Sequence, residues 1–117
     1  MAHLVPIFRR VQSRQAQIVV SAVTEAELLV RPYRDDDLEA LERISGLLAT
    51  EGFDVVAVDR KIGRLSAVLR ARHGLQTADA IIVATAIEAG CDTIVGNDKK
   101  WRRLEEITYV HLDDVAL

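Results

Sequence analysis

The feature that most limits the fold is an alternation of short β-branched runs with segments of helical periodicity. Residues 16–23 (AQIVVSAV) and 53–58 (FDVVAV) predict two strands, and residues 93–95 and 108–112 predict two more. The segments between them place apolar residues every three or four positions, as amphipathic helices do. Strands that alternate with helices are typical of a parallel sheet covered by helices. We therefore predict an α/β fold with a parallel sheet.

Helices are predicted wherever the apolar spacing is three or four residues. Pro32 is expected to end the second helix, Gly74 the fourth and Gly90 the fifth. The fifth is apolar nearly all round, which predicts a buried helix. The six predicted helices are Leu4–Arg14, Thr24–Val30, Asp35–Glu51, Arg60–His73, Thr77–Ala89 and Lys99–Glu105.

Length and composition restrict the setting of the protein. At 117 residues, half of them hydrophobic, the chain is expected to form one domain over residues 1–117. Its single cysteine, Cys91, rules out an internal disulfide and fits a reducing compartment. Neither a long apolar run nor a signal-peptide pattern is present, so we expect a cytoplasmic protein with no membrane partner.

Three acids stand beside predicted strands or at the start of predicted helices: Glu27, Asp79 and Asp98. Each has a structural explanation. Glu27 fits a capping box that begins at Thr24. Asp79 suits the positive end of a helix dipole, and Asp98 suits the cap of the helix that begins at Lys99.

Taken together, the three acids predict a metal site. The carboxyl ends of parallel strands form the crevice in which such folds bind ligands, and all three acids can face it. Crowded carboxylates repel one another unless a cation compensates. Oxygen ligands without Cys or His select Mg²⁺ or Mn²⁺, which can activate a water for phosphodiester hydrolysis. No nucleophilic-serine, zinc or phosphate-loop motif competes with this interpretation.

Three stretches together resemble a PIN domain, most closely the toxin nuclease of a VapBC-type toxin–antitoxin pair. They are Ile18–Pro32 (IVVSAVTEAELLVRP), Leu69–Gly90 (LRARHGLQTADAIIVATAIEAG) and Thr93–Trp101 (TIVGNDKKW). The resemblance implies a three-layer α/β/α fold and a Mg²⁺- or Mn²⁺-dependent ribonuclease that an antitoxin protein inhibits. It also implies that the family's ligands fall on Glu27 rather than Glu25, on Asp79 and on Asp98.

The chain departs from the family pattern at its N-terminal side. The family opens with a central strand that ends in a metal-binding Asp, whereas no Asp precedes Asp35 here. Gly96 and Trp101 are smaller departures, at positions where a hydroxyl residue and Phe are usual. We expect an N-terminally truncated PIN-like fold and an oligomer, such as a dimer. The sheet would be repaired by direct pairing of its flanking strands, by domain swapping or by a partner chain.

Two basic groups bear on an RNA substrate. Residues Lys99, Lys100, Arg102 and Arg103 follow Asp98 and are the predicted RNA-binding residues. The second group lies between residues 60 and 72 and is interpreted as a solvated helix face. The predicted function is a toxin-type endoribonuclease. The alternative is a catalytically impaired PIN-like binding or dimerisation module, and a phosphoacceptor domain is disfavoured because its paired acids are missing.

Overall fold

The computed structural model describes residues 17–91, 93–96 and 104–111, and for residues 93–96 and 109–111 it describes the backbone alone. The predicted helix Leu4–Arg14 lies outside these residues, as does most of the predicted helix Lys99–Glu105. The described elements alternate as predicted. They are β1 (Ile18–Ser21), α1 (Ala22–Arg34), α2 (Leu38–Leu48), β2 (Phe53–Val56), α3 (Arg60–His73), α4 (Thr77–Glu88), β3 (Thr93–Gly96) and β4 (Thr108–His111).

The strands form two parallel pairs. Strand β1 pairs with β2, with Ile18 opposite Phe53, and β3 pairs with β4, with Thr93 opposite Thr108. The predicted parallel direction is confirmed for both pairs. Within the described residues no strand joins β1 to β3, so direct pairing of the flanking strands, one of the three expected ways to repair the sheet, is not seen there.

Helix α4 forms the centre of the core. It packs against α3 and α1 and against one strand of each pair, β1 and β3. Val83, Ala84 and Thr85 are buried along it, and the Thr85 hydroxyl donates to the Ile81 carbonyl over 2.7 Å. The prediction of a buried helix is therefore confirmed. The core cluster consists of Ile62, Leu69, Leu75, Ala80, Val83, Ala84, Leu104 and Ile107.

The junction between β1 and α1 differs from the prediction. The helix begins at Ala22, and the buried Ser21 caps it by accepting the Val23 N–H at 3.1 Å. The predicted strand through Val23 and the predicted helix start at Thr24 are therefore wrong. The Ser21 hydroxyl accepts one of the N–H groups that have no helical partner at the start of a helix. The helix therefore begins there, and the strand ends earlier than its β-branched composition predicts.

Pro32 does not end α1, which continues to Arg34. Pro32 lacks one N–H donor for the helical hydrogen bonds, but so close to the end of the helix this loss does not stop it. Its ring is buried. The Pro32 carbonyl still accepts the Asp37 N–H at 2.9 Å. The prediction that Pro32 stops the helix was wrong for this reason.

The three consecutive acids Asp35, Asp36 and Asp37 lie before α2, which begins at Leu38 rather than at the predicted Asp35. Asp36 adopts a left-handed conformation with φ of 50°, and Asp37 caps the helix by accepting the Ala40 N–H at 3.0 Å. Helix α2 ends at Leu48 and β2 at Val56, so their predicted ends at Glu51 and Val58 are wrong, whereas α3 agrees with prediction at both ends. Gly74 follows α3 with φ of 66°, the left-handed cap expected of it. Glu105 lies in a bend before β4 and not in a helix.

None of the helices in the described ranges combines the length and apolarity needed to cross a bilayer.

Candidate functional site

Glu27 is the sixth residue of α1, and its side chain is exposed. Because Ser21 caps this helix, Thr24 is not a cap residue and the capping-box interpretation of Glu27 is wrong. A capping role therefore does not explain the acid at position 27. Glu25, which the prediction set aside, is half-buried in the first turn, where the helix dipole accounts for a negative charge.

Asp79 is the third residue of α4 and is half-buried. It is the acid of the first turn of a largely apolar helix, and Gln76 at the cap position makes no side-chain cap hydrogen bond. A negative charge in this turn interacts favourably with the helix dipole.

The packing brings the two acid-bearing helices together. Helix α1 follows β1 directly, so its start lies at the carboxyl end of that strand, and α1 packs against α4. Helix α4 also packs on β1 and on β3, the strand that follows it. The helices that carry the two acids are therefore neighbours over the same strand, β1.

The third predicted ligand, Asp98, lies outside the described residues, together with the predicted RNA-binding residues Lys99, Lys100, Arg102 and Arg103. Among the residues that are described, no three His, Cys, Asp or Glu side chains lie close enough to hold a metal ion. The donor chemistry of Glu27 and Asp79 nevertheless fits a hard cation. Mg²⁺ is typically held by one or two carboxylates, with waters and substrate phosphates as its other ligands.

One polar cluster was not predicted. His73 at the end of α3 contacts both carboxylate oxygens of Glu106, at 2.9 and 3.1 Å, and Arg72 lies 3.4 Å from the same carboxylate. Burial alone would raise the pKa of Glu106. The hydrogen bond from His73, with backbone N–H donors and the His73 charge, outweighs that effect and holds the pKa below its ordinary value. The partners are 33 residues apart, so sequence spacing gave no signal for this pair.

The fold and the acids define an α/β domain with parallel strands, whose candidate ligands lie on two helices packed against each other. The family model of the PIN domain matches residues 5–107, and the chain belongs to that family. PIN domains are generally divalent-metal-dependent nucleases. A comparison with curated proteins found no match.

Three solved structures with a similar fold are VapBC or toxin–antitoxin complexes. DNA-bound VapBC from Salmonella typhimurium is 18% identical, with a TM-score of 0.71, over 91% of this chain and 83% of that one. VapBC2 from Rickettsia felis, bound to a DNA fragment from the promoter of the pair, is 18% identical, with a TM-score of 0.69, over 81% and 74%. A toxin–antitoxin complex from Klebsiella pneumoniae is 21% identical, with a TM-score of 0.67, over 92% and 91%. At these identities the similarity shows the fold.

Proposed function

We propose that the chain is a Mg²⁺- or Mn²⁺-dependent endoribonuclease of toxin–antitoxin type, with Glu27, Asp79 and Asp98 as its metal-binding and catalytic acids. The observation that supports this most is Asp79, a half-buried carboxylate at the start of an apolar helix within a PIN domain. Glu27 adds to it because α1 is capped by Ser21 and has no structural need of this acid.

Asp79 and Glu27 have distinct roles in the proposal. Asp79, held by the rigid first turn of a core helix, fixes the position of the cation. Glu27, exposed on the neighbouring helix, completes the site from the solvent side and orients the attacking water. The cation, when bound, activates that water and stabilises the charge on the phosphate and the leaving oxygen. Lys99, Lys100, Arg102 and Arg103 neutralise the RNA backbone beside Asp98.

The structural neighbours are toxins captured with their antitoxins, which supports an antitoxin protein as the inhibiting partner. We also propose a single domain over residues 1–117, a homodimer and a cytoplasmic location. These three statements rest on the sequence arguments given above.

The test is cleavage of labelled RNA with Mn²⁺ and with EDTA, by the wild type and by Asp79→Asn. A matched control is Glu88→Gln, which removes an exposed acid from the last turn of the same helix. The proposal expects cleavage that requires the metal, is lost in Asp79→Asn and persists in Glu88→Gln. Equal cleavage by both variants, or cleavage in EDTA, would contradict it.

A second function is favoured by the separation of the two strand pairs. Within the described residues no acid-bearing strand lies between β1 and β3, and no group of three acids forms there. The alternative is therefore a catalytically impaired PIN-like module that binds or dimerises. Calorimetric titration with Mn²⁺ separates the two functions, since only the enzyme needs to bind the cation and lose that binding in Asp79→Asn.

A further inference from the structure

Helix α3 concentrates positive charge in a chain that is negative overall. The segment Arg60–His73 contains five of the 15 Lys and Arg residues and none of the 18 Asp and Glu residues, while the net charge of the chain is -3. Ile62, Ser66 and Leu69 face the core. The five cationic side chains are all exposed: Arg60, Lys61, Arg64, Arg70 and Arg72.

These cations form a row along the outer face. Arg60, Arg64 and Arg72 share one stripe at four-residue intervals, with the exposed Val68 between the last two. At 1.5 Å per residue the stripe is roughly 18 Å long. Lys61 widens it at the start of the helix. We call this set, Arg60, Lys61, Arg64 and Arg72, the basic stripe.

The three members of the basic stripe in the first half of α3 work against helix stability. Arg60 and Lys61 occupy the first turn, where the helix dipole disfavours positive charge, and Arg60 and Arg64 are like charges four residues apart. Among the described residues Arg60, Lys61 and Arg64 form no ion pair, whereas Arg43 on α2 pairs with Glu39 at 3.8 Å. Arg72, by contrast, lies 3.4 Å from Glu106. Three unneutralised charges at unfavourable positions indicate an anionic ligand.

The basic stripe ends at Arg72, close to the connection that leads from α3 into the helix that bears Asp79. Helix α3 packs along α4, which bears Asp79, and only residues 74–76 separate the two helices. The connection is fixed by Arg70, whose Nε donates to the Leu75 carbonyl over 3.2 Å. A polyanion that crosses the outer face of α3 therefore leads toward the helix that carries a proposed metal ligand.

We propose that the basic stripe binds the phosphate backbone of single-stranded RNA and guides it to the site. This inference rests on the proposed ribonuclease function. The chemistry favours a nucleic acid over an acidic peptide, because Val68, 42% exposed, is the one large apolar side chain that is well exposed on α3 within the described structure. Peptides need apolar anchors, whereas backbone phosphates need only cations and are bound without sequence preference.

The experiment is fluorescence anisotropy of a labelled single-stranded RNA in EDTA, where metal-dependent cleavage does not occur. Affinity is measured between about 50 and 200 mM salt. The stripe variant is Arg60→Gln/Lys61→Gln/Arg64→Gln. The matched control is Arg31→Gln/Arg34→Gln/Arg43→Gln, which removes the same charge from exposed positions on α1 and α2. Glutamine keeps the helix propensity close to that of arginine and lysine.

The proposal expects the slope of log affinity against log salt to shrink by about 2 in the stripe variant, or about 0.7 for each lost phosphate contact. The control keeps the wild-type slope. An equal decrease of this slope in both variants would mean that only net charge matters, and would overturn the proposal. An unchanged slope in the stripe variant, or a wild type that binds no RNA, would overturn it too. If the triple variant does not fold, Arg64→Gln alone is expected to reduce the slope by about 0.7.

Further arms identify the ligand and separate this inference from the proposed function. Single-stranded DNA of the same sequence is expected to bind through the stripe as well, because the contacts are to phosphate. Tighter stripe-dependent binding of a poly-glutamate peptide than of RNA would overturn the assignment. If RNA binding depends on the stripe but the wild type does not cleave RNA with Mn²⁺, the proposal of an RNA-binding surface stands and the proposed nuclease function is rejected.

Discussion

His73 Nε2 lies 2.9 Å from Glu106 Oε1 and joins the last turn of α3 to the segment that precedes β4. Both side chains are mostly buried, at 14% and 18% exposed. The pair links the segment before β4 to α3, although the two residues are 33 positions apart in the sequence. Leu104 and Ile107, on either side of Glu106, are buried in the core cluster. The His73–Glu106 contact therefore adds to the packing of Leu104 and Ile107 in holding this segment in place.

The first prediction concerns acid stability. The pKa of Glu106 is lowered in the folded state from 4.5. A depressed carboxyl pKa stabilises the fold above the unfolded pKa, and that stability is lost as the pH falls through the folded value. Glu106→Gln is therefore expected to lower Tm near pH 6 and to differ progressively less from the wild type below about pH 4.5. Melting curves at several pH values, followed by circular dichroism, measure this difference.

The control for that prediction is Glu105→Gln, because the neighbouring Glu105 side chain is exposed. It is expected to leave Tm unchanged at every pH. His73→Ala is expected to cost about 1.5–3 kcal/mol near pH 6, as for a hydrogen bond to a charged group. A constant difference between Glu106→Gln and the wild type down to pH 3 would contradict the ionic account.

The second prediction compares adjacent residues of α3. Leu69 is fully buried and belongs to the core cluster, whereas Val68 is 42% exposed. Leu69→Ala is expected to cost about 2–5 kcal/mol of unfolding free energy, through lost burial and the cavity it leaves. Val68→Ala is expected to stay within about 0.5 kcal/mol of the wild type. Urea unfolding of both variants measures the contrast, and similar costs would show that α3 packs by another face.

The third prediction uses two glycines of the same region. A Cβ added at Gly74 or at Gly63 would meet nothing within 4 Å, so packing does not distinguish them. Gly74 has φ of 66°, which costs a residue with a side chain about 1–2 kcal/mol. Gly63 lies inside α3, where alanine is favoured over glycine by about 0.5–1 kcal/mol. Gly74→Ala is therefore expected to lower Tm and Gly63→Ala to raise it, and a shift of the same sign in both would contradict the backbone argument.

Sequence patterns predicted the elements better than the junctions between them. The start and end of α3 were predicted to the residue, because apolar periodicity and Gly74 mark the helix clearly. The β1–α1 junction was misplaced because the β-branched Val23 favours a strand and because Thr24 fits the cap of a helix. What decides this junction is one hydrogen bond from the Val23 N–H to Ser21, and residue type alone does not show it.

The candidate site was predictable in its residue types and less so in its assembly. Glu27 and Asp79 were found because each acid interrupts an apolar pattern at a helix or strand boundary. Their placement on packed helices depends on long-range contacts between α1 and α4, which periodicity does not encode. The prediction for Asp98 falls outside the described residues, so it stays a prediction.

The final prediction concerns the edge of β1 that faces away from β2. The Ile18 N–H donates to the Gly52 carbonyl over 2.8 Å, so the Val20 N–H, two residues on, also points to β2. The Val19 N–H points the other way, where no described strand pairs with β1. Parallel ladders satisfy alternate residues on each side, so an edge strand leaves half of its amides exposed to exchange.

Hydrogen exchange followed by NMR is expected to show the Val19 amide exchanging more than about tenfold faster than that of Val20. Val20 is the internal control, since both amides belong to the same strand and share its global stability. Dilution of the protein extends the measurement. Equal protection at high concentration that is lost for Val19 on dilution would show that a second copy covers this edge. Equal protection at every concentration would contradict an open edge and mean that a strand of the same chain pairs there.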